Sequence, residues 1–275
     1  MNIISKIRTR IINKLFSYLV KRGLVNQVSI DFISFLSFSK IKIDFVNKFF
    51  YDKSDKIKIF HFSRINRVFN YYSNGIFYRQ QVLFKEYLLY NIEFDSKDII
   101  IDCGANIGEV GYFLKDRYNV KEIISIEPDP TEYKILCKNL PNFINLNLGL
   151  FDINGTLDFY LNNNTADSSF FEESGLEVIK VEVVTLDMLF ERCSIEKCKL
   201  FKLEAEGAEP EILMGGKKAL QFIDYISVDC GPERGPNAQK TIAEVTEILC
   251  LNNFALIDIN SVRTVLLFRN KININ

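Results

Sequence analysis

Histidine is almost absent from this chain: His61 is the single one in 275 residues, and it stands outside the most regularly patterned part of the sequence. That argues against a zinc site and against a Ser–His or Cys–His nucleophile there, since both need imidazole near the reacting atoms. The six cysteines, Cys103, Cys137, Cys193, Cys198, Cys230 and Cys250, form no C-x-x-C pair. Several sit inside apolar patterns, where cysteine behaves as a small hydrophobe, so a reduced, cytoplasmic protein is expected. Charge of one sign is missing too. The 34 Lys and Arg against 35 Asp and Glu leave a formal net charge of −1, so no overall field draws nucleic acid and no nucleic-acid partner is expected. There is no internal repeat and no low-complexity run. The N-terminal apolar stretch is too interrupted by charge to span a bilayer and lacks a convincing signal-cleavage pattern.

What is present changes character near residue 95. Residues 1–94 are aromatic, basic and irregularly patterned, and read as an N-terminal extension. Residues 95–275 alternate strand and helix patterns, which predicts an α/β domain around a mostly parallel sheet covered on both faces. Strands are expected near Ile99–Asp102, Ile123–Glu127 and Phe143–Leu148, with helices at about Glu109–Arg117 and Thr131–Leu140. Thr156–Leu161 and Val181–Val184 read as an antiparallel pair. A strand at Leu200–Glu204, a helix from Pro210, a strand at Tyr225–Asp229 and a helix over Gln239–Leu251 follow. Phe254–Ile259 and Val262–Phe268 close the chain as an antiparallel hairpin turning at Asn260-Ser261.

The most informative stretch is Ile99-Ile100-Ile101-Asp102-Cys103-Gly104-Ala105-Asn106-Ile107-Gly108-Glu109, followed by Ile126-Glu127-Pro128-Asp129. It reads as a buried strand ending in an acid, a tight glycine turn, a helix start, and then a second strand ending in an acid. Gly104 and Gly108 let the backbone pass close to a ligand, and the helix start offers free N–H groups. A carboxylate at Glu127 is placed to accept the hydroxyl protons of a ribose. A dinucleotide site would want G-x-G-x-x-G; here the pattern is D-x-G-x-x-x-G, with Asp102 before the turn and Glu109 after it. Two carboxylates repel a pyrophosphate and attract the sulfonium and amino groups of S-adenosylmethionine. The sulfonium cofactor is therefore the expected one. The alternatives are a nicotinamide-dependent oxidoreductase and a glycine turn that binds nothing, as in a non-catalytic scaffold.

Asp102-Cys103-Gly104-Ala105-Asn106-Ile107-Gly108, Ile126-Glu127-Pro128 and Lys202-Leu203-Glu204-Ala205-Glu206-Gly207-Ala208-Glu209, with Val184-Thr185-Leu186-Asp187 upstream, together resemble the FkbM-type methyltransferase family over about residues 80–270. The resemblance implies a class I, Rossmann-like, S-adenosylmethionine-dependent fold acting on hydroxyl groups of sugars or polyketides. By this match Asp102, Gly104, Asn106 and Gly108 surround the methionine part of the cofactor, Glu127 holds the ribose, and Asp152 lies near the adenine edge. Glu204 stands where the family usually has Asp, which alters the reach of that carboxylate.

Strand alternation puts Lys202, Glu204 and Glu206 on one side of the acidic segment, at the ligand end of a parallel strand. There Glu204 or Glu206 is placed beside a methyl acceptor; the structural alternative is a local ion pair with Lys202. Glu209 before Pro210 fits a helix-start charge. A saccharide hydroxyl must lose a proton during transfer. With no histidine in the core, the base is expected to be Glu204, Glu206 or Asp229, without a metal; a divalent ion held by such carboxylates is the alternative. In the loop Asp229-Cys230-Gly231-Pro232-Glu233-Arg234-Gly235-Pro236, Glu233 and Arg234 are suited to orienting a polar or anionic acceptor, or form an exposed ion pair. The polar run Asn162–Ser169 reads as a loop, either solvated or covering the acceptor. Ile3, Ile4, Ile7, Ile11, Leu15 and Leu19 recur at helical spacing among basic residues, with no acid before Asp31. Such a helix packs on its own domain, on a partner subunit in a homo-oligomer, or peripherally on the inner face of a membrane through residues 1–22. The expected acceptor is a small molecule or glycan.

Overall fold

The computed structural model describes residues 14–16, 18–19, 22–37, 39–162, 168–172, 175–235 and 237–272. The chain divides into two compact units, Met1–Val82 and Leu83–Asn275. Most of the helix expected over residues 1–22 lies outside the described residues; residues 14–16 and 18–19 are helical. In the first unit, α1 (Gln27–Leu36) starts at Asn26. Its side chain accepts from the Ser29 N–H at 3.0 Å while Ser29 Oγ accepts from the Asn26 N–H at 2.9 Å, a reciprocal cap that satisfies two otherwise unpaired donors. β1 (Ile41–Asp44), β2 (Phe49–Asp52) and β3 (Asp55–His61) form an antiparallel sheet. Phe50 and Phe60 of that sheet pack on Tyr72 at the end of α2 (Ile65–Tyr72), with ring centroids 4.6 and 6.0 Å apart. The boundary between the units falls within α3 (Ile76–Glu86).

The second unit runs β4 (Ile99–Cys103), α4 (Glu109–Tyr118), β5 (Glu122–Ile126), α5 (Pro130–Asn139), β6 (Ile144–Leu146), β7 (Gly149–Leu150), β8 (Gly155–Leu161), β9 (Glu177–Val184), α6 (Leu186–Arg192), β10 (Cys198–Leu203), α7 (Glu209–Met214), β11 (Ile223–Asp229), α8 (Ile242–Leu251), β12 (Phe254–Asn260) and β13 (Val265–Asn270). Its seven-stranded sheet has the order β12-β13-β11-β10-β4-β5-β6. Every neighbouring pair is parallel except the two that β13 makes with β11 and β12. This is the expected mostly parallel α/β sheet with a C-terminal antiparallel hairpin. Successive β4 residues enter different apolar clusters, Ile100 on one face and Ile101 on the other, so the strand is buried on both sides, as a parallel strand under helices must be. Each such fully buried aliphatic side chain contributes about 1.5–3 kcal/mol.

Three elements differ from expectation, each for a local reason. The third strand stops at Leu146 because Asn147 turns aside and donates to the carbonyls of Glu127 and Pro128 at 2.8 and 3.1 Å. Gly149 and Leu150, as β7, instead join β8 and β9 in a separate sheet, where Leu157 pairs with Val181 as the antiparallel reading requires. Helix α8 begins at Ile242 rather than Gln239, since Gln239 exchanges two backbone hydrogen bonds with Arg234. The C-terminal hairpin turns through four residues, 261–264, closed by Thr264 N–H on the Asn260 carbonyl at 2.8 Å. Among the described residues, no helix is long and apolar enough to cross a membrane.

Candidate active site and cofactor cleft

The winding direction reverses between β4 and β10: β5 and β6 extend the sheet one way, β11 the other. Loops leaving the carboxyl ends of two such strands part and leave a crevice. The loop after β4 is held close. Gly104 has φ of 68°, and a Cβ on it would lie 2.0 Å from the Glu204 carbonyl oxygen, so only glycine fits. The N–H groups of Gly104 and Ala105 both donate to the Ile126 carbonyl, at 3.1 and 3.0 Å. Asn106, with φ of 50°, donates its N–H to Glu127 Oε2 at 2.7 Å, and the Asp129 N–H reaches Glu127 Oε1 at 2.9 Å. Burial pushes the Glu127 carboxyl up to about 7 against these two backbone hydrogen bonds. Gly108 leads into α4, and Asn139 Nδ2 holds the neighbouring Ile107 carbonyl at 2.8 Å. The sequence-predicted group Gly104, Asn106, Gly108 and Glu127 is therefore one construction.

Asp102 lies behind that loop, 1% exposed. Neither of its carboxylate oxygens accepts a hydrogen bond, and the Lys202 ammonium stands 3.1 Å from Oδ1. Burial raises its pKa, with Lys202 opposing. Lys202 Nζ also donates to the Cys103 and Gly104 carbonyls at 3.0 and 2.7 Å and lies 3.1 Å from Glu204 Oε2. Burial works against the lysine charge, but Asp102 and Glu204 outweigh it and raise its pKa.

The acidic segment is not the extended strand that alternation assumed. β10 ends at Leu203, and Glu204–Ala208 is a turn in which Glu206 has φ of 49°. The ion pair with Lys202 is made by Glu204. The Glu206 carbonyl instead accepts from Ser169 Oγ at 3.0 Å. Glu209 braces the turn: Oε1 accepts from the N–H groups of Ala205 and Gly207 at 2.9 and 3.1 Å, and Oε2 from the Thr241 hydroxyl at 3.2 Å. Burial pushes the Glu209 carboxyl up to about 7. Gly207, at φ of 100°, packs so tightly on the loop after β11 that a Cβ would come 2.6 Å from Arg234 Cα.

Glu204 accepts from the Tyr87 hydroxyl on Oε2 and from Arg263 Nη2 on Oε1. Burial alone would raise its pKa; Lys202 and Arg263 outweigh it and hold the carboxyl down at about 2. Arg263, from the β12–β13 turn, also donates through Nε to Asp229 Oδ2 at 2.7 Å and through Nη1 to Glu86 Oε2 at 3.2 Å. Asp229 is fully buried and its pKa is raised by burial and by Glu204, with Arg263 opposing. The Tyr87 ring lies 5.1 Å from Lys202 Nζ and 5.0 Å from the Arg263 guanidinium carbon, close enough for both cations to interact with its π-face. Burial and Glu204 push the Tyr87 pKa well up, so its hydroxyl stays protonated and donates.

One expectation about the loops resolves differently. Arg234 makes a two-pronged pair with Glu211 at 2.8 and 2.6 Å, donates to the Gly207 carbonyl at 2.6 Å and covers the Phe171 ring at 4.5 Å. Its fork is used inside the protein, with Glu211 rather than Glu233 or an acceptor. Asp152 sits exposed on the turn between β7 and β8, its Cα against Gly215. Of the polar run Asn162–Ser169, residues 163–167 lie outside the described residues. Among the described residues, no group of three or more His, Cys, Asp or Glu is arranged to hold a metal ion. Sequence reasoning missed Tyr87 and Arg263 altogether; neither stands in a motif, and both are brought in by tertiary contact.

The sheet order, parallel but for one antiparallel strand, is a class I, Rossmann-like fold. Residues 102–256 match the methyltransferase FkbM domain, and the chain belongs to that family. It is 27% identical over 168 residues to hexuronic acid methyltransferase AglP of Haloferax volcanii, covering 58% of this chain and 69% of that protein. It is 23% identical over 172 residues to 2-O-methyltransferase NoeI of Sinorhizobium fredii, covering 55% of this chain and 70% of that one. Among solved structures, methyltransferase FkbM from Methylobacillus flagellatus is similar with a TM-score of 0.46 and 16% identity, over 65% of this chain. This chain spans 44% of that solved chain.

Proposed function

We propose that this methyltransferase transfers a methyl group from S-adenosylmethionine to a hydroxyl of a saccharide or glycolipid precursor. The observation that carries the reading is the charge of the cleft at the strand switch. Glu127, Glu204 and Asp229 stand at the carboxyl ends of β5, β10 and β11, Asp102 lies behind the β4 loop, and Lys202 and Arg263 are already committed to carboxylates. That donor set suits a cationic sulfonium and ammonium and repels a pyrophosphate. Glu127 fits a ribose diol: each oxygen accepts one backbone N–H and keeps a further lone pair for a hydroxyl. Gly104, Asn106 and Gly108 shape the wall beside it, with Asp102 anchoring Lys202 beneath.

When bound, the cofactor supplies a methyl carbon activated by its sulfonium. The chain's part is to align an acceptor oxygen with that carbon, exclude water and accept the hydroxyl proton. The names of the archaeal hexuronic acid enzyme and the rhizobial 2-O-methyltransferase support saccharide hydroxyls as the acceptor class. Calorimetric titration with S-adenosylmethionine, S-adenosylhomocysteine and NADH side by side tests the cofactor. Binding of the first two alone is expected; binding of NADH alone would replace the reading with an oxidoreductase.

A further inference from the structure

Three carboxylates were candidates for the proton acceptor, and the structure commits two of them elsewhere. Glu204 is bonded to Tyr87 and Arg263 and paired with Lys202. Asp229 is fully buried, with one oxygen on Arg263 Nε and the other accepting the Gly231 N–H at 3.0 Å. A carboxylate held down by two cations has little affinity for a proton, so Glu204 makes a poor base. Glu206 sits on the strained turn, its backbone tied to Ser169.

Glu233 is different. It follows β11 at the ligand end of the sheet and is half-buried. Its Oε1 and Asp229 Oδ1 flank Gly231, 3.0 and 3.2 Å from where a Cβ on that glycine would stand. Among the described residues it accepts no hydrogen bond and makes no ion pair. We propose that Glu233 is the group that takes the proton from the acceptor hydroxyl, while the Lys202–Glu204–Arg263–Asp229 network holds the cleft in shape and charge around it. This rests on the methyl-transfer reading above. As the acceptor oxygen's electron pair forms the new bond to the methyl carbon, the carbon–sulfur bond breaks with its pair left on sulfur. The hydroxyl proton passes to a Glu233 oxygen and from there to water.

The electrostatics agree with the geometry. Burial, then Asp229 on β11, Glu204 on the turn after β10 and Glu209 on α7 push the Glu233 carboxyl up to about 8, and Arg263 from the β12–β13 turn opposes them. A carboxyl in that range is the effective kind of base near neutral pH. It also ionises when a positive charge enters the cleft. Cofactor binding then releases a proton, and cofactor affinity climbs with pH.

The test is titration with S-adenosylmethionine between pH 6 and 9, repeated at pH 7 in phosphate and in Tris, on the wild type and Glu233→Gln. The two buffers differ in ionisation enthalpy and so count released protons. The wild type should bind about tenfold or more tightly at pH 9 than at pH 6 and release a proton at pH 7. Glu233→Gln should lose most of both, the remainder belonging to Glu127 at about 7 in the same cleft, while binding at pH 6 as the wild type does, and should turn over 100-fold or more slowly on any saccharide the wild type methylates. Equal pH dependence and equal proton release in wild type and Glu233→Gln would overturn the assignment, as would normal turnover by that variant. A wild type that binds no S-adenosylmethionine would instead overturn the methyl-transfer reading, and this assignment with it.

Discussion

At the scale of single residues, the cleft depends on positions where one atom more would not fit. Gly104 combines a left-handed backbone with a 2.0 Å approach of its would-be Cβ to the Glu204 carbonyl. A Gly104→Ala variant bears about 1–2 kcal/mol for the backbone alone and must also push two loops apart. Urea denaturation should show a loss above that figure, and S-adenosylmethionine binding should vanish with it. Glu127 presents the opposite situation, a side chain whose removal leaves space. Glu127→Ala strips the acceptor from the Asn106 and Asp129 N–H groups at the rim of the cleft. Affinity for S-adenosylmethionine should fall on the order of 10- to 100-fold, the equivalent of one or two hydrogen bonds to a charged group. Titration that returned the wild-type affinity would remove Glu127 from ribose binding.

At the scale of elements, the turn Glu204–Ala208 shows what sequence could and could not say. Asp102-x-Gly104 and Glu127 were legible because strand, glycine turn and helix follow one another within a few residues, so local spacing fixes their geometry. Lys202, Glu204 and Glu206 were expected on one face because strand alternation was carried past Leu203, whereas Glu209 reaches back to Ala205 and Gly207 and folds the segment into a turn. The bland reading of Glu209 as a charge at a helix start thus understated it. Its folded pKa, about 7, is above the ordinary glutamate value of 4.5. The stability it contributes is therefore complete below about pH 4.5 and is lost as pH rises through 7. Glu209→Gln keeps an oxygen for both N–H groups and removes the titration. The variant should be flatter in stability between pH 5 and pH 8 than the wild type, by on the order of 3 kcal/mol, in urea denaturation at the two values. A wild-type slope in the variant would assign the pH dependence elsewhere, Glu127 being the other buried carboxyl pushed to about 7.

At the scale of the whole molecule, Arg263 is where distant parts of the sequence meet. It binds Glu86 at the end of α3, Glu204 after β10 and Asp229 on β11, and it lies over Tyr87. No motif marks it, because its role comes from the β12–β13 hairpin placing the turn over the carboxyl ends of strands far earlier in the chain. In the wild type Glu204 is held down at about 2, so its contribution is present above its ordinary value near 4.5 and is lost only as pH falls through 2. Arg263→Gln removes part of that contribution. With one of its two cations gone, the Glu204 carboxyl rises, and Asp229, already raised by burial, rises further. Asp229 then costs more stability as pH climbs past about 4, where the unfolded chain ionises it freely. Breaking a buried pair in this way costs about 3–5 kcal/mol. Arg263→Gln should therefore approach that deficit at pH 8 and recover much of it at pH 5, measured by urea denaturation at both. An equal deficit at the two values would mean that Arg263 acts through its packing on Tyr87 rather than through the charge it sets against the acids of the cleft.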